Sequence, residues 1–116
     1  MSLYLIVYRL SEAMPIHRER LREYLQKQVG AVEIMTSVWV STEKVTYDDL
    51  YYSMYDTIGR MDELRMSENT SVNMSLIVTE IPENGWINYY DLKNEDAFEE
   101  LVCRLPEMKM LKGLDV

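Results

Sequence analysis

Six apolar residues in succession, Leu3 to Tyr8 (LYLIVY), stand almost at the start of the chain, and the first charged side chain, Arg9, follows them directly. Branched and aromatic side chains favour extended backbone. An unbroken apolar run of this length reads as a strand covered on at least one face, not as an alternating surface strand. Such a strand needs other elements to cover it, and the rest of the chain supplies them in a regular order.

Pro15 suits the first turn of a helix. From Ile16 to Val29, Leu21, Tyr24, Leu25 and Gln28 or Val29 fall on one helical stripe, with Arg18, Arg22 and Lys27 off it. Glu19 and Glu23 stand at pairing distance from Arg22 and Lys27, and Gly30 suits a left-handed cap. In Ala31–Val40, Val38 and Val40 alternate with Ser37 and Trp39, the period of a strand, as one bent strand or two short ones. Thr46 with Asp49 forms a capping-box pattern. It starts a helix over Tyr47–Met61 striped by Tyr47, Leu50, Tyr51, Met54, Ile58 and Met61, with Gly59 weakening its far end. Ser67–Asn73 is polar and reads as a loop, Met74–Ile81 as a strand, and Pro82–Gly85 as a turn. Trp86–Tyr90 suggests a short extra strand. The segment from Asn94 or Glu95 to Leu105 suggests a third helix with Phe98, Leu101, Val102 and Leu105 inward, ended by Pro106. The order is β-α-β-(β)-α-β with an appendage. Right-handed crossovers put both main helices on one face of the sheet. The expectation is an α+β, ferredoxin-like β-α-β-β-α-β sandwich with a C-terminal extra strand and helix. It forms a single domain over residues 1–105, with 106–116 as a loose tail.

A length of 116 residues and 47% hydrophobic content suffice for one domain with its own core. The single cysteine, Cys103, permits no internal disulfide. The opening apolar run is too short for a signal peptide and lacks a basic flank, and no run approaches the ~18 apolar residues of a membrane span. These features favour a cytoplasmic protein with no membrane partner. The net charge of −8 is unevenly spread: residues 1–30 carry five basic and three acidic groups, and residues 31–116 seven basic and seventeen acidic. One basic helix on an acidic body is a poor footprint for phosphate binding, so nucleic acid is a weak partner. A basic protein, or a second copy offering its basic helix, fits better.

Catalytic constellations are sparse. His17 is the only histidine and Cys103 the only cysteine, so nucleophilic triads and His/Cys metal sites fail on count. The pairs Asp48-Asp49, Asp62-Glu63 and Glu99-Glu100 are adjacent in sequence. Neighbours on a helix point about 100° apart and do not chelate together. The four glycines are scattered, so no phosphate-binding loop is present and no cofactor is implied. Trp39, Trp86, Tyr89 and Tyr90 could form an aromatic patch, for which core and dimer packing is the favoured use.

Three features together carry a resemblance. Val7-Tyr8-Arg9 closes a hydrophobic opening strand, Ser37-Val38-Trp39 follows a helix capped by Gly30, and the strand Leu76–Ile81 leads through a turn to Trp86. Over about residues 3–90 the chain resembles the small CRISPR-associated adaptation protein family and its SinR-like relatives. That resemblance implies a ferredoxin-like fold and a homodimer joined through sheet edges and C-terminal segments. Nuclease members end their first strand in an aspartate that binds a divalent metal, and the matching position here is Arg9. A guanidinium repels a metal ion, so the resemblance implies a non-catalytic scaffold or protein-interaction module with no metal. Two alternatives stand beside it. One is a metal-dependent ribonuclease or deoxyribonuclease with relocated carboxylates. The other is an acidic, nucleic-acid-mimicking inhibitor from a mobile element or phage. The candidate binding and interface residues are Arg9, Ser37, Trp39, Trp86, Tyr89 and Tyr90. If the family register applies, Arg9→Asp gives the dimer a divalent-metal site, read by calorimetry with Mg²⁺ or Mn²⁺. A variant that only loses stability refutes the register.

Overall fold

The computed structural model describes residues 2–11, 15–63 and 73–113. In chain order these form β1 (Leu3–Ser11), α1 (Pro15–Glu23) with a π-helical continuation (Tyr24–Val29), β2 (Val32–Met35), β3 (Val38–Ser41), α2 (Tyr47–Glu63), β4 (Asn73–Ile81), β5 (Trp86–Tyr89), α3 (Glu95–Val102) and β6 (Lys109–Lys112). The fold is mixed α+β. Four strands make one antiparallel sheet in the order β2-β3-β1-β4, and β5 pairs with β6 in a small parallel ribbon. The polar segment expected as a loop at Ser67–Asn73 lies outside the described residues except for Asn73, which opens β4.

β1 is central, as its apolar run demands. Alternate residues leave a strand on opposite faces, and both faces of β1 are used. Ile6, Tyr8 and Leu10 join a core with Leu21, Leu25, Leu50, Met54 and Ile58, so α1 and α2 cover one face together. Leu3 joins a second core with Ile34, Val40, Phe98, Leu101 and Leu105, where α3 and its flanking segments cover the opposite face. The inward positions expected for the third helix, Phe98, Leu101, Val102 and Leu105, are all buried, although α3 ends at Val102.

Two boundaries differ from the sequence expectation, and the stretch 31–40, open between one bent strand and two short ones, takes the second form: Thr36 and Ser37 form a tight turn, with Ser37 at φ 63°, and the β2–β3 ladder slips between Glu33 and Met35. The first helix widens into a π-helix for its last six residues, closing on the Gly30 amide bonded to the Leu25 carbonyl. Residues 106–116, expected as a loose tail, contain β6. It is held by the β5 pairing and by Gly113 N–H donating to the Tyr89 carbonyl at 2.6 Å. No apolar periodicity announces a four-residue strand such as KMLK, because its partner is only the equally short β5.

Gly30 sits at φ +72°, the left-handed region that the cap requires. A Cβ built there meets nothing within 4 Å. Gly30→Ala should therefore cost only the backbone strain, about 1 kcal/mol. The check is a denaturation midpoint, and Gly30→Asn should recover part of the loss.

Candidate functional site

Where α1, β2 and the segment between β5 and α3 converge, a polar cleft of about 460 Å³ is lined by Arg22, Glu33, Trp39, Lys93 and Asn94 among others. Glu33 is its centre. It lies opposite Trp39 in the β2–β3 ladder, and so on the face covered by α1, and it is only 6% exposed. A carboxylate so placed requires partners. Arg22 Nη2 donates to Glu33 Oε1 at 3.1 Å and Lys93 Nζ to the same oxygen at 2.7 Å, while the Ser37 amide points at Oε2 at 3.4 Å. Asn94 Nδ2 donates to the Glu33 carbonyl at 2.9 Å, and Lys93 N–H donates to the Ile34 carbonyl at 2.9 Å. One residue thus ties the first helix, the β2–β3 turn and the C-terminal segment together.

Among the described residues three non-glycine residues adopt left-handed backbone, Ser37, Asp91 and Asn94, and all three lie in the loops that converge on Glu33. Such conformations cost on the order of 1 kcal/mol each and persist where surrounding contacts over-determine them. Burial pushes the Glu33 carboxyl up, but Lys93 and Arg22 outweigh it and hold its pKa below the ordinary carboxylate range. Tyr8 lies close by: burial raises its pKa first, and the Glu33 charge adds to the effect. The Trp39 indole N–H is buried and has no hydrogen-bond partner. A carboxylate locked in its charged form beside a phenol locked in its neutral form is ill suited to proton transfer near neutral pH. The cleft is built to fasten elements together.

The candidate residues from the sequence scatter over three places. Ser37 and Trp39 belong to the Glu33 cleft, Ser37 also accepting the Tyr8 amide on its carbonyl at 3.1 Å. Trp86, Tyr89 and Tyr90 lie on or beside β5. Trp86 is exposed, donates to Asn88 Oδ1 at 2.5 Å and carries Lys109 Nζ 5.8 Å above its ring. Tyr89 packs edge-on against Phe98 at 5.2 Å and donates its hydroxyl to Glu99 at 3.0 Å. Trp39 is therefore not part of a patch with these three. Arg9 is exposed near the end of β1, opposite Ser75 of β4, on the same face as Val7.

That face is the second feature of the site. The C-terminal elements cover its Leu3 end. Between this face and the β5–α3 segment runs an apolar cleft of about 450 Å³, lined from Leu3 and Phe98 to Val7, Met35 and Val38. Ile77, the cross-strand partner of Val7, is 61% exposed. The two sheet edges also differ. The β2 edge is short and blocked by the Lys93 and Asn94 hydrogen bonds. The β4 edge runs nine residues, and among the described residues no strand pairs with its outer side. A long flat edge without proline invites pairing with another chain.

Among the described residues no group of three or more His, Cys, Asp or Glu is arranged to hold a metal, and no helix is long and apolar enough to cross a membrane. Glu33 itself was hidden in the sequence. A lone glutamate inside a β-branched stretch was the available signal, because an acid there must be either exposed or clamped.

Glu33→Gln should destabilise the protein by about 1–3 kcal/mol at pH 7, toward the lower end because Arg22 and Lys93 are half exposed and screened. The folded pKa is depressed, so the charged clamp stabilises fully above the unfolded glutamate pKa of about 4.3 and loses its contribution as pH falls through the folded value. Denaturation midpoints of wild type and variant should converge in acid and separate above about pH 5. No family model matches the chain, and neither a curated protein nor a solved structure matches it.

Proposed function

We propose that this chain is a ferredoxin-like, non-catalytic interaction module that works as a homodimer. The observation that carries this reading is the contrast between the two halves of one sheet face. The C-terminal elements seal the Leu3 end, while at the other end Ile77 of β4, the cross-strand partner of Val7, and Met35 of β2 stand exposed, and among the described residues the nine-residue outer edge of β4 is unpaired. The antiparallel order β2-β3-β1-β4 with both main helices on the opposite face supports the ferredoxin-like reading. A second copy could add a strand to the β4 edge and cover the open apolar end in the same act. Main-chain hydrogen bonds then give affinity and the side chains give register. The clamped Glu33 cleft adds rigidity and no chemistry to this picture, as a scaffold needs.

Light scattering at micromolar concentration should report a dimer. Ile77→Lys places a charge on the open face at an already exposed position, so the fold should survive and the dimer should weaken by at least about tenfold. A wild-type monomer at that concentration, or a variant that dimerises as well as wild type, overturns the reading.

A further inference from the structure

The ladder on one side of β1 fixes which groups of β4 face outward. The Tyr8 amide donates to the Ser37 carbonyl, on the β3 side. In an antiparallel ladder each residue sends its N–H and C=O to the same neighbour, and successive residues alternate between neighbours. Leu5, Val7 and Arg9 therefore bond to β4, where their partners are Thr79, Ile77 and Ser75. The main-chain groups of Met74, Leu76, Val78 and Glu80 point the other way, to the outer edge of β4. Among the described residues no strand takes them up. The centre of this edge reads Ser75-Leu76-Ile77-Val78-Thr79. It is a chemical palindrome, with a hydroxyl at each end and apolar residues between. Ser75, Ile77 and Thr79 are exposed on the open face, and Leu76 and Val78 pack on the helix-covered core. Ile77 also ends an apolar row that crosses the sheet from Met35 through Val38 and Val7.

We propose that two copies pair antiparallel along β4 with the two-fold axis at Ile77, joining their sheets into one. The inference rests on the homodimer reading and adds its register. A two-fold interface must be complementary to itself, and the palindrome meets that demand only here. Ile77 meets the partner's Ile77, Leu76 meets the partner's Val78, and Ser75 meets the partner's Thr79. Matched apolar pairs and hydroxyl pairs across strands are favourable. All four outward residues find a partner, Leu76 with Val78 and Met74 with Glu80. Glu80, the only charged residue of β4, is kept from its own copy. An axis at Leu76 sets Ile77 against the partner's Ser75 and leaves Glu80 without a partner in β4. An axis at Val78 sets Leu76 against the partner's Glu80 and leaves Met74 without one. An axis between two residues opposes outward to inward groups and forms no ladder. At Ile77 the two apolar rows meet end to end, and each exposed isoleucine is covered by its counterpart.

The test is cysteine cross-linking of the full chain, with the exposed Cys103 replaced by serine. Residues that face each other without exchanging hydrogen bonds have Cα atoms about 4.5 Å apart, within reach of a disulfide. Ile77→Cys should therefore cross-link nearly completely under mild oxidation. Ser75→Cys and Thr79→Cys should each stay uncross-linked alone, because each stands four residues out of step with its own copy, about 13 Å. Mixed together, those two variants should form the cross-linked heterodimer. The mixture leaves Ile77 intact, so it reads the register independently of any loss of affinity in Ile77→Cys. Light scattering on the wild type separates this claim from the reading beneath it. A wild-type dimer in which neither Ile77→Cys nor the mixture cross-links overturns the register and leaves the homodimer standing. So does a wild-type dimer in which Ser75→Cys alone cross-links as fully as Ile77→Cys. A wild-type monomer overturns both.

Discussion

The buried carboxylate of Glu33 is the interaction on which the arrangement of this molecule depends. Two cations from opposite directions, Arg22 of the first helix and Lys93 of the C-terminal segment, meet on one of its oxygens. The apolar cores on the two sheet faces are separate clusters with no buried residue in common. Hydrophobic burial supplies most of the stability but is not directional. A clamped charge specifies geometry, because its partners must arrive at fixed points or leave it uncompensated. Here it fixes where the C-terminal segment crosses the β2 edge, and with that which part of the second face is sealed.

The asymmetry of the sheet follows. With Lys93 and Asn94 bonded to the β2 edge, pairing with another chain is blocked on that side. The β4 edge has no such cover among the described residues, and the apolar surface beside it ends at Arg9. Arg9 began as a charge after an apolar strand. Its place on the open face, opposite Ser75, makes it the polar rim of the surface that the proposed dimer would bury.

Much of this was legible in the sequence because it rests on periodicity. The run Leu3–Tyr8 marked a strand covered on at least one face. The 3.6-residue stripes placed Leu21, Leu25, Leu50, Met54 and Ile58 inward, and they are buried. Thr46 does cap α2, accepting the Asp49 amide at 3.4 Å. What was not legible depends on pairings between distant segments. Lys93 and Arg22 lie sixty and eleven residues from Glu33, and neither spacing leaves a local trace. β6 exists because β5 lies beside it. The left-handed Ser37 makes the turn between β2 and β3 without a glycine to announce it, so the sequence left one bent strand and two short ones both open. The α2 stripe placed Tyr47 and Tyr51 inward with Leu50, Met54 and Ile58, but Tyr51 is only half-buried and Tyr47, at the start of the helix, is exposed.

Hydrogen exchange at two protein concentrations, one well below and one well above micromolar, tests the central claim most directly. Amides of β4 that do not pair with β1 should exchange freely in dilute protein and gain protection in concentrated protein. Those of α3 and β6, held by the protein's own contacts, should not change. Concentration-independent exchange along β4, or protection gained only outside β4 and its open face, would contradict the account.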